Sequence, residues 1–275
     1  MPVTEANGVR LYYEIDGDGE PLVLVHGSWV DATAWRLVAP ALAASFRVLV
    51  YDRRGHSRSE RPDAPGSVDE DGDDLAALLE TLGHAPAHVV TSSYGGNVAL
   101  RLATRRPEVF RSLSCHEPPL WGLLEGDPEM QAILQQGARS LDAVGRRIAA
   151  GDHAGAARQF ADEVAFGPGA WENELPQELK AVFVHNAPTY LDELQDPNQL
   201  RIDEDALARV ELPVRLTQGS ESPPTFAGVI DRLTRLIPRA GRETVDGAGH
   251  APQLTHPERY VQIMARAARG TVPSR

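Results

Sequence analysis

His88-Val89-Val90-Thr91-Ser92-Ser93-Tyr94-Gly95-Gly96-Asn97 decides the fold. Val89-Val90 is a short apolar run that passes into small polar residues and two glycines. Asn97-Val98-Ala99-Leu100-Arg101-Leu102-Ala103 then reads as a helix. Strand, sharp turn and helix follow one another, with a serine at the turn. Such a turn pushes its side chain out of the backbone, at the open end of a parallel sheet. Ser93 is the candidate nucleophile, since it lies two before Gly95 and directly before the helix; Ser92 competes by proximity alone.

Outward from this stretch, apolar runs and helical patterns alternate at short spacing, which implies a parallel α/β sheet. Pro21–Val25 is continuous apolar sequence, as in a strand buried on both faces. Val9–Ile15, Arg47–Tyr51 and Val109–Cys115 are further strand candidates. Ala32–Ala44 reads as a helix, with Pro40 expected to kink it or split off its last turn. Leu75, Leu78, Leu79 and Leu82 stripe the helix before the central strand. From about Leu120 to Val210 only helix-like segments occur: Pro128–Ile148, Ala154–Phe166 and Gln177–Leu194. That is too long for a plain connection. The expected organisation is a core of residues 1–119 and 211–275, with a helical cap inserted at 120–210. Strands at Pro213–Thr217 and Arg242–Val245 resume the core, with helices over Pro223–Ile237 and Pro257–Ala268.

Composition bounds the function. The 275 residues carry a formal net charge of −12, and no run of Lys or Arg forms a basic stripe. This argues against nucleic acid and anionic membrane as partners. Cys115 is the only cysteine, so no internal disulfide is expected. The first residues lack the basic and apolar regions of a signal peptide. A cytoplasmic protein acting on a small molecule is the expectation, with a homodimer left open.

Sites in parallel sheets lie outside the carboxyl ends of the strands. His26, Asp52, Ser93 and Glu117 all fall there. A serine hydroxyl needs a base to take its proton, usually a histidine oriented by a carboxylate. Asp246-Gly247-Ala248-Gly249-His250 ends the last strand and frees a loop ahead of a helix, so His250 is the expected base. Other patterns carry no site. Asp69, Asp71, Asp73 and Glu80 mimic a calcium loop, but Asp74 stands where its glycine is required. His116-Glu117 is followed by prolines that break any helix able to bring round a second zinc ligand. Gly17-Asp18-Gly19 lacks the helix and third glycine of a dinucleotide site. No metal and no cofactor are expected.

His26-Gly27, Asp52-Arg53-Arg54-Gly55-His56-Ser57-Arg58-Ser59, the turn at Ser93 and the late Gly-x-Gly-His resemble the α/β-hydrolase superfamily in order and spacing, over essentially the whole chain. The resemblance implies the α/β-hydrolase fold and a nucleophile elbow, with Thr91 replacing the first glycine of Gly-x-Ser-x-Gly. Most members take the triad acid from the loop after the cap, but Ser222 stands about where their aspartate is expected. Some haloalkane dehalogenases and lactonases take it from the strand after the elbow helix, where Glu117 stands before Pro118-Pro119. Glu117 is therefore assigned as the acid orienting His250, with Glu221 and Asp246 behind it. The chain thus resembles the Ser-His-Glu branch, which includes zearalenone-type lactonases and related esterases.

The oxyanion donors implied are the amides of Tyr94 and of Ser28, with Gly27 allowing close approach. Trp29, Trp121 and His185 are the candidate substrate contacts, each also open to a packing or surface role. The expected reaction is cofactor-free hydrolysis of an ester or lactone with an apolar body, through an acyl-enzyme. A serine at 93 argues against dehalogenase and epoxide hydrolase chemistry, which needs a carboxylate nucleophile. A C–C hydrolase, lyase or cyclase on the same fold is the alternative; a ligand-binding receptor is a third reading.

Overall fold

The computed structural model describes residues 2–270, so the final stretch of the expected core, 271–275, lies outside them. Eight strands form one sheet in the order β1-β2-β4-β3-β5-β6-β7-β8. They are β1 (Val3–Ala6), β2 (Val9–Asp16), β3 (Glu20–Val25), β4 (Phe46–Tyr51), β5 (Ala87–Ser92), β6 (Phe110–His116), β7 (Val214–Gly219) and β8 (Ala240–Val245). The first two pairings, β1 with β2 and β2 with β4, are antiparallel. Every pairing from β4 to β8 is parallel. Strand β1 was not expected from the sequence. Its turn, Asn7-Gly8, has both residues at positive φ, which is the signature of a tight hairpin.

The helices are α1 (Ala39–Ala43), α2 (Val68–Thr81), α3 (Tyr94–Arg105), α4 (Gln131–Ala149), α5 (His153–Phe160), α6 (Ala170–Asn173), α7 (Gln177–Gln195), α8 (Glu204–Leu207), α9 (Pro224–Leu236), α10 (Pro252–Thr255) and α11 (Pro257–Ala268). The expected helix over 32–44 is in fact two pieces. A 3-10 turn, Ala32–Trp35, precedes α1, and Pro40 sits at the start of α1, where its missing N–H costs nothing. Ser67 caps α2 by accepting from the Glu70 amide while its own hydroxyl meets the Glu70 carboxylate.

Alternate residues of β3 show how the sheet is covered. Val23 and Val25 enter a core with Leu75, Leu79, Leu100, Leu102, Val229 and Leu233 of α2, α3 and α9. Leu22 and Leu24 enter a second core with Trp35, Leu42, Tyr260, Ile263 and Met264. Burial on both faces removes each of these side chains from water, at roughly 1.5–3 kcal/mol apiece. It also explains why β3 reads as unbroken apolar sequence.

Helices α4 to α8 lie between β6 and β7, and α4 to α7 share a core of their own. Leu141, Val144, Ile148, Phe160, Leu179, Phe183 and Tyr190 close around Trp29, which comes from the loop after β3. A π-helical turn, Ala161–Ala165, ends α5 and re-aims the chain into Phe166. No helix among the described residues is long and apolar enough to cross a membrane.

Arg53 joins the insertion to the sheet. It is 1% exposed and donates to Asp71 of α2 at 2.6 Å and to Glu193 of α7 at 2.7 Å. Its guanidinium also lies 4.8 Å from the centre of the Tyr94 ring. Two carboxylates share this one cation out of water. Burial, with Asp74 and Glu193 adding to it, therefore outweighs Arg53 and pushes the Asp71 carboxyl up to about 7. Burial raises Glu193 as well.

Two expectations follow from this packing. A Cβ on Gly95 would lie 2.5 Å from the Val25 carbonyl oxygen and 2.7 Å from that of His26. Gly95→Ala should therefore lower stability by roughly 1–3 kcal/mol, read by chemical denaturation, because rigid backbone must move; an unchanged midpoint would contradict this. For Asp71, the folded pKa stands above the unfolded value of about 3.9, so the folded state binds more protons between these limits. The group's contribution to stability is then lost as pH rises from about 4 to about 7. Asp71→Asn should gain stability relative to the parent across that window, and a pH-independent difference would overturn the assignment.

Candidate active site

The cleft is built from three strand ends and two connections. β5 ends at Ser92, and α3 begins at Tyr94, so Ser93 alone makes the turn, with φ 53° and ψ −129°. A non-glycine residue at such angles costs on the order of 1–3 kcal/mol and persists only when its surroundings fix it. Here the Ser93 amide donates to the His116 carbonyl at 2.8 Å, and the Ser93 carbonyl accepts from Gly96 at 2.7 Å. Gly27 meets the elbow from β3: a Cβ there would come within 2.9 Å of the Ser93 Cβ. The Tyr94 amide opens α3, in the turn whose N–H groups have no acceptor within the helix.

Glu117 directly follows β6 and is also held at positive φ, 46°. Its amide donates to the Thr217 carbonyl at 3.1 Å. Its side chain is wholly buried. Oε1 accepts from the Gly219 amide at 2.7 Å, and Oε2 lies 2.6 Å from His250 Nδ1. Burial alone would raise this carboxyl, but the two histidines beside it prevail and hold it at about 2, below the usual carboxylate range. Glu117 is thus ionised at neutral pH, which fixes the proton of His250 on Nδ1 and leaves Nε2 as an acceptor. Glu221 and Asp246 are both exposed.

The imidazole is fixed from its face as well. Phe226 of α9 stacks on it, with centroids 4.3 Å apart and planes at 16°. The sequence did not single out Phe226; its only signal is its place just after Pro223-Pro224, where a triad acid is commonly found. His116 lies beneath, buried, with Nδ1 3.0 Å from Thr217 Oγ1 and Nε2 3.6 Å from Glu117 Oε2. Burial lowers it to about 4 against the opposing pull of the Glu117 charge, so it is neutral at pH 7. One ligand atom from each of His116, Glu117 and His250 lies within 4.8 Å of the others. The third member comes from a separate loop rather than from the helix that the prolines exclude. All three are buried, and each has a protein partner.

Ser92, Ser93 and His250 line one cleft together with Gly27, Ser28, Phe160, Phe166, Leu179, Phe183 and Leu254. Its walls are mainly apolar. Gln253 is a further polar group on it, with a buried carboxamide oxygen that has no protein partner. The three residues expected to touch substrate lie elsewhere. Trp29 is fully buried in the aromatic cluster of the insertion, 4.8 Å from the Tyr190 ring and 5.0 Å from that of Phe160. Trp121 lines a different groove, with Leu134, Leu194 and Leu200. His185 is exposed on α7. Closeness in sequence to the elbow loops suggested the tryptophans, but their rings find apolar neighbours away from the cleft.

His26 and Asp52 brace the strand ends. His26 Nε2 accepts from the Arg53 amide at 2.9 Å, and burial followed by the Arg53 charge lowers it to about 3. Asp52 accepts from the amides of Ala32 and Arg58 and from the Arg58 guanidinium.

Comparison with known proteins agrees with this architecture. The model of the "Alpha/beta hydrolase family" matches residues 22–263. The chain is 39% identical over 127 residues to the uncharacterized hydrolase YraK of Bacillus subtilis (strain 168), a match covering 46% of this chain and 47% of that protein. It is 43% identical over 112 residues to a 2-hydroxymuconate semialdehyde hydrolase of Pseudomonas sp. (strain CF600), covering 39% and 40%. Each match thus spans less than half of the relative's length. The solved structure of Est816, described as an N-acyl homoserine lactone degrading enzyme, superposes with a TM-score of 0.76 at 26% identity, covering 98% of this chain and 100% of that one. An eight-stranded, mostly parallel sheet, a serine on a strained strand-to-helix turn and the match over 22–263 place the chain in the alpha/beta hydrolase family.

Proposed function

We propose that this chain is a cofactor-free serine hydrolase that opens a carboxylic ester or lactone with an apolar body. The observation that carries the reading is the buried bond from Glu117 to His250, whose ring shares a cleft with Ser93. In the proposed cycle the Ser93 hydroxyl attacks the carbonyl carbon as His250 Nε2 takes its proton. Glu117 stabilises the resulting imidazolium, and the amides of Ser28 and Tyr94 receive the negative oxygen. The imidazolium then gives its proton to the leaving alkoxide, leaving an acyl group on Ser93. Water, deprotonated by His250, releases the acid and restores the serine.

The helical insertion serves as the cap over this cleft. Phe160, Phe166, Leu179 and Phe183 offer the apolar wall that the substrate's body would fill. The likeness to Est816, described as degrading N-acyl homoserine lactones, supports a lactone among the substrates. A second reading, cleavage of a C–C bond, is favoured by the likeness to the 2-hydroxymuconate semialdehyde hydrolase.

A fluorophosphonate should label Ser93, and Ser93→Ala should abolish both labelling and 4-nitrophenyl ester turnover. Glu117→Gln should lower kcat by about 10³–10⁴-fold, as expected when a triad histidine loses the carboxylate that sets its tautomer. Glu221→Gln should leave kcat unchanged. Full ester turnover by Ser93→Ala would discard the reading, and essential Glu221 with dispensable Glu117 would move the acid to the other loop.

A further inference from the structure

We infer that α7 is the template on which the oxyanion loop is formed, with Glu193 and Asn186 as positioning residues for the Ser28 amide. The inference rests on the serine-hydrolase reading above. Residues 27–30 leave β3 and cross under the insertion, and each is gripped from outside its own strand. The Gly27 carbonyl accepts from Arg53 Nη2 at 3.3 Å. Ser28 Oγ donates to Glu193 Oε2 at 2.5 Å. The carbonyls of Trp29 and Val30 accept from Asn186 Nδ2 at 3.4 and 3.2 Å. The Trp29 ring is enclosed by Phe160, Phe183 and Tyr190.

Three of these grips come from one stripe of α7. Phe183, Asn186, Tyr190 and Glu193 are spaced by three, four and three residues, so they share a face. All four are buried. An aromatic, a carboxamide, an aromatic and a carboxylate thus meet a loop of four residues in a single register. Burying Asn186 and Glu193 is costly unless every bond is made. Rotating or sliding α7 by one residue would break all of them together, so only one seating is permitted. The loop itself does not favour this shape. Trp29 has φ 68°, the left-handed region that a bulky residue rarely adopts, and its surroundings must hold it there.

The chemical consequence concerns the neighbouring amide. An oxyanion donor works only within a few tenths of an ångström of its place. The Ser28 amide lies between the Gly27 and Trp29 anchors, so the seating of α7 fixes where it points. The cap would then govern transition-state stabilisation as well as admission of substrate. If α7 were mere fastening, loosening it would lower stability and leave the chemistry intact.

The test uses Ser28→Ala, which keeps the amide and removes one bond from the loop side. Glu193→Gln weakens the same contact from the helix side. With 4-nitrophenyl butyrate, each variant should lose about tenfold in kcat while KM stays within about twofold. Affinity for an alkyl trifluoromethyl ketone, which forms a tetrahedral adduct on the serine, should fall with kcat, while inhibition by butyrate is unchanged. The double variant should lose less than the product of the two single losses, since both cut one bond. A lower melting temperature with kcat and ketone affinity unchanged would overturn the template. Failure of a fluorophosphonate to label Ser93 of the parent protein would instead remove the hydrolase reading, and this inference with it.

Discussion

A charged carboxylate with no exposed surface must have partners, and Glu117 has them from two different parts of the chain. The Gly219 amide at the end of β7 donates to one oxygen, and His250 from the loop after β8 meets the other. The Glu117 backbone is itself tied to Thr217. Removing His250 would strip this buried charge of its ionisable partner, a loss on the order of several kcal/mol. The order of the sheet, β5-β6-β7-β8, is what brings the serine turn, Glu117 and His250 to one rim. Two adjacent strands end on strained residues, Ser93 and Glu117, and the Ser93 amide bonds to the carbonyl just before Glu117. The strain of each turn is thus supported by the other.

Beyond this rim the molecule is divided by what its residues can bury. The sheet is covered on both faces by mostly aliphatic side chains. The insertion instead gathers an aromatic core around one tryptophan that the sheet domain lends it. Between them lies a polar seam: Arg53 with Asp71 and Glu193, Asn186 with the loop after β3, and the Val68 amide with Asp196. Apolar contacts slide at little cost, whereas buried polar contacts hold one register. A helical layer seated on polar bonds therefore sits in one place relative to the serine.

Much of this was legible in the sequence, and the parts that were not share a physical reason. Apolar runs marked β3 and β4, because strands buried on both faces cannot alternate. The site's backbone was legible because the serine turn and the late glycine loop are local events with local signatures. Glu117 could be chosen because Ser222 leaves the commoner acid position without a carboxylate and prolines stiffen the chain behind Glu117. The hairpin at Asn7-Gly8 carries its signal in that dipeptide. The side-chain contacts across the insertion were not readable. Asn186 and Glu193 look like ordinary polar residues of a helix, and their partners lie 129 to 165 positions away. Trp29, Trp121 and His185 failed as cleft residues for the converse reason. Nearness along the chain says nothing of where a ring can find enough apolar surface, and Trp29 found it inside the insertion.

The bond between Glu117 and His250 can be observed directly by NMR on protein with ¹⁵N-labelled histidine. A strong hydrogen bond from Nδ1–H to a buried carboxylate moves that proton far downfield and slows its exchange. The account predicts one such resonance, assigned to His250, which disappears in Glu117→Gln and persists in Ser93→Ala and Glu221→Gln. Its survival in Glu117→Gln, or its absence from the parent protein, would contradict the site as described.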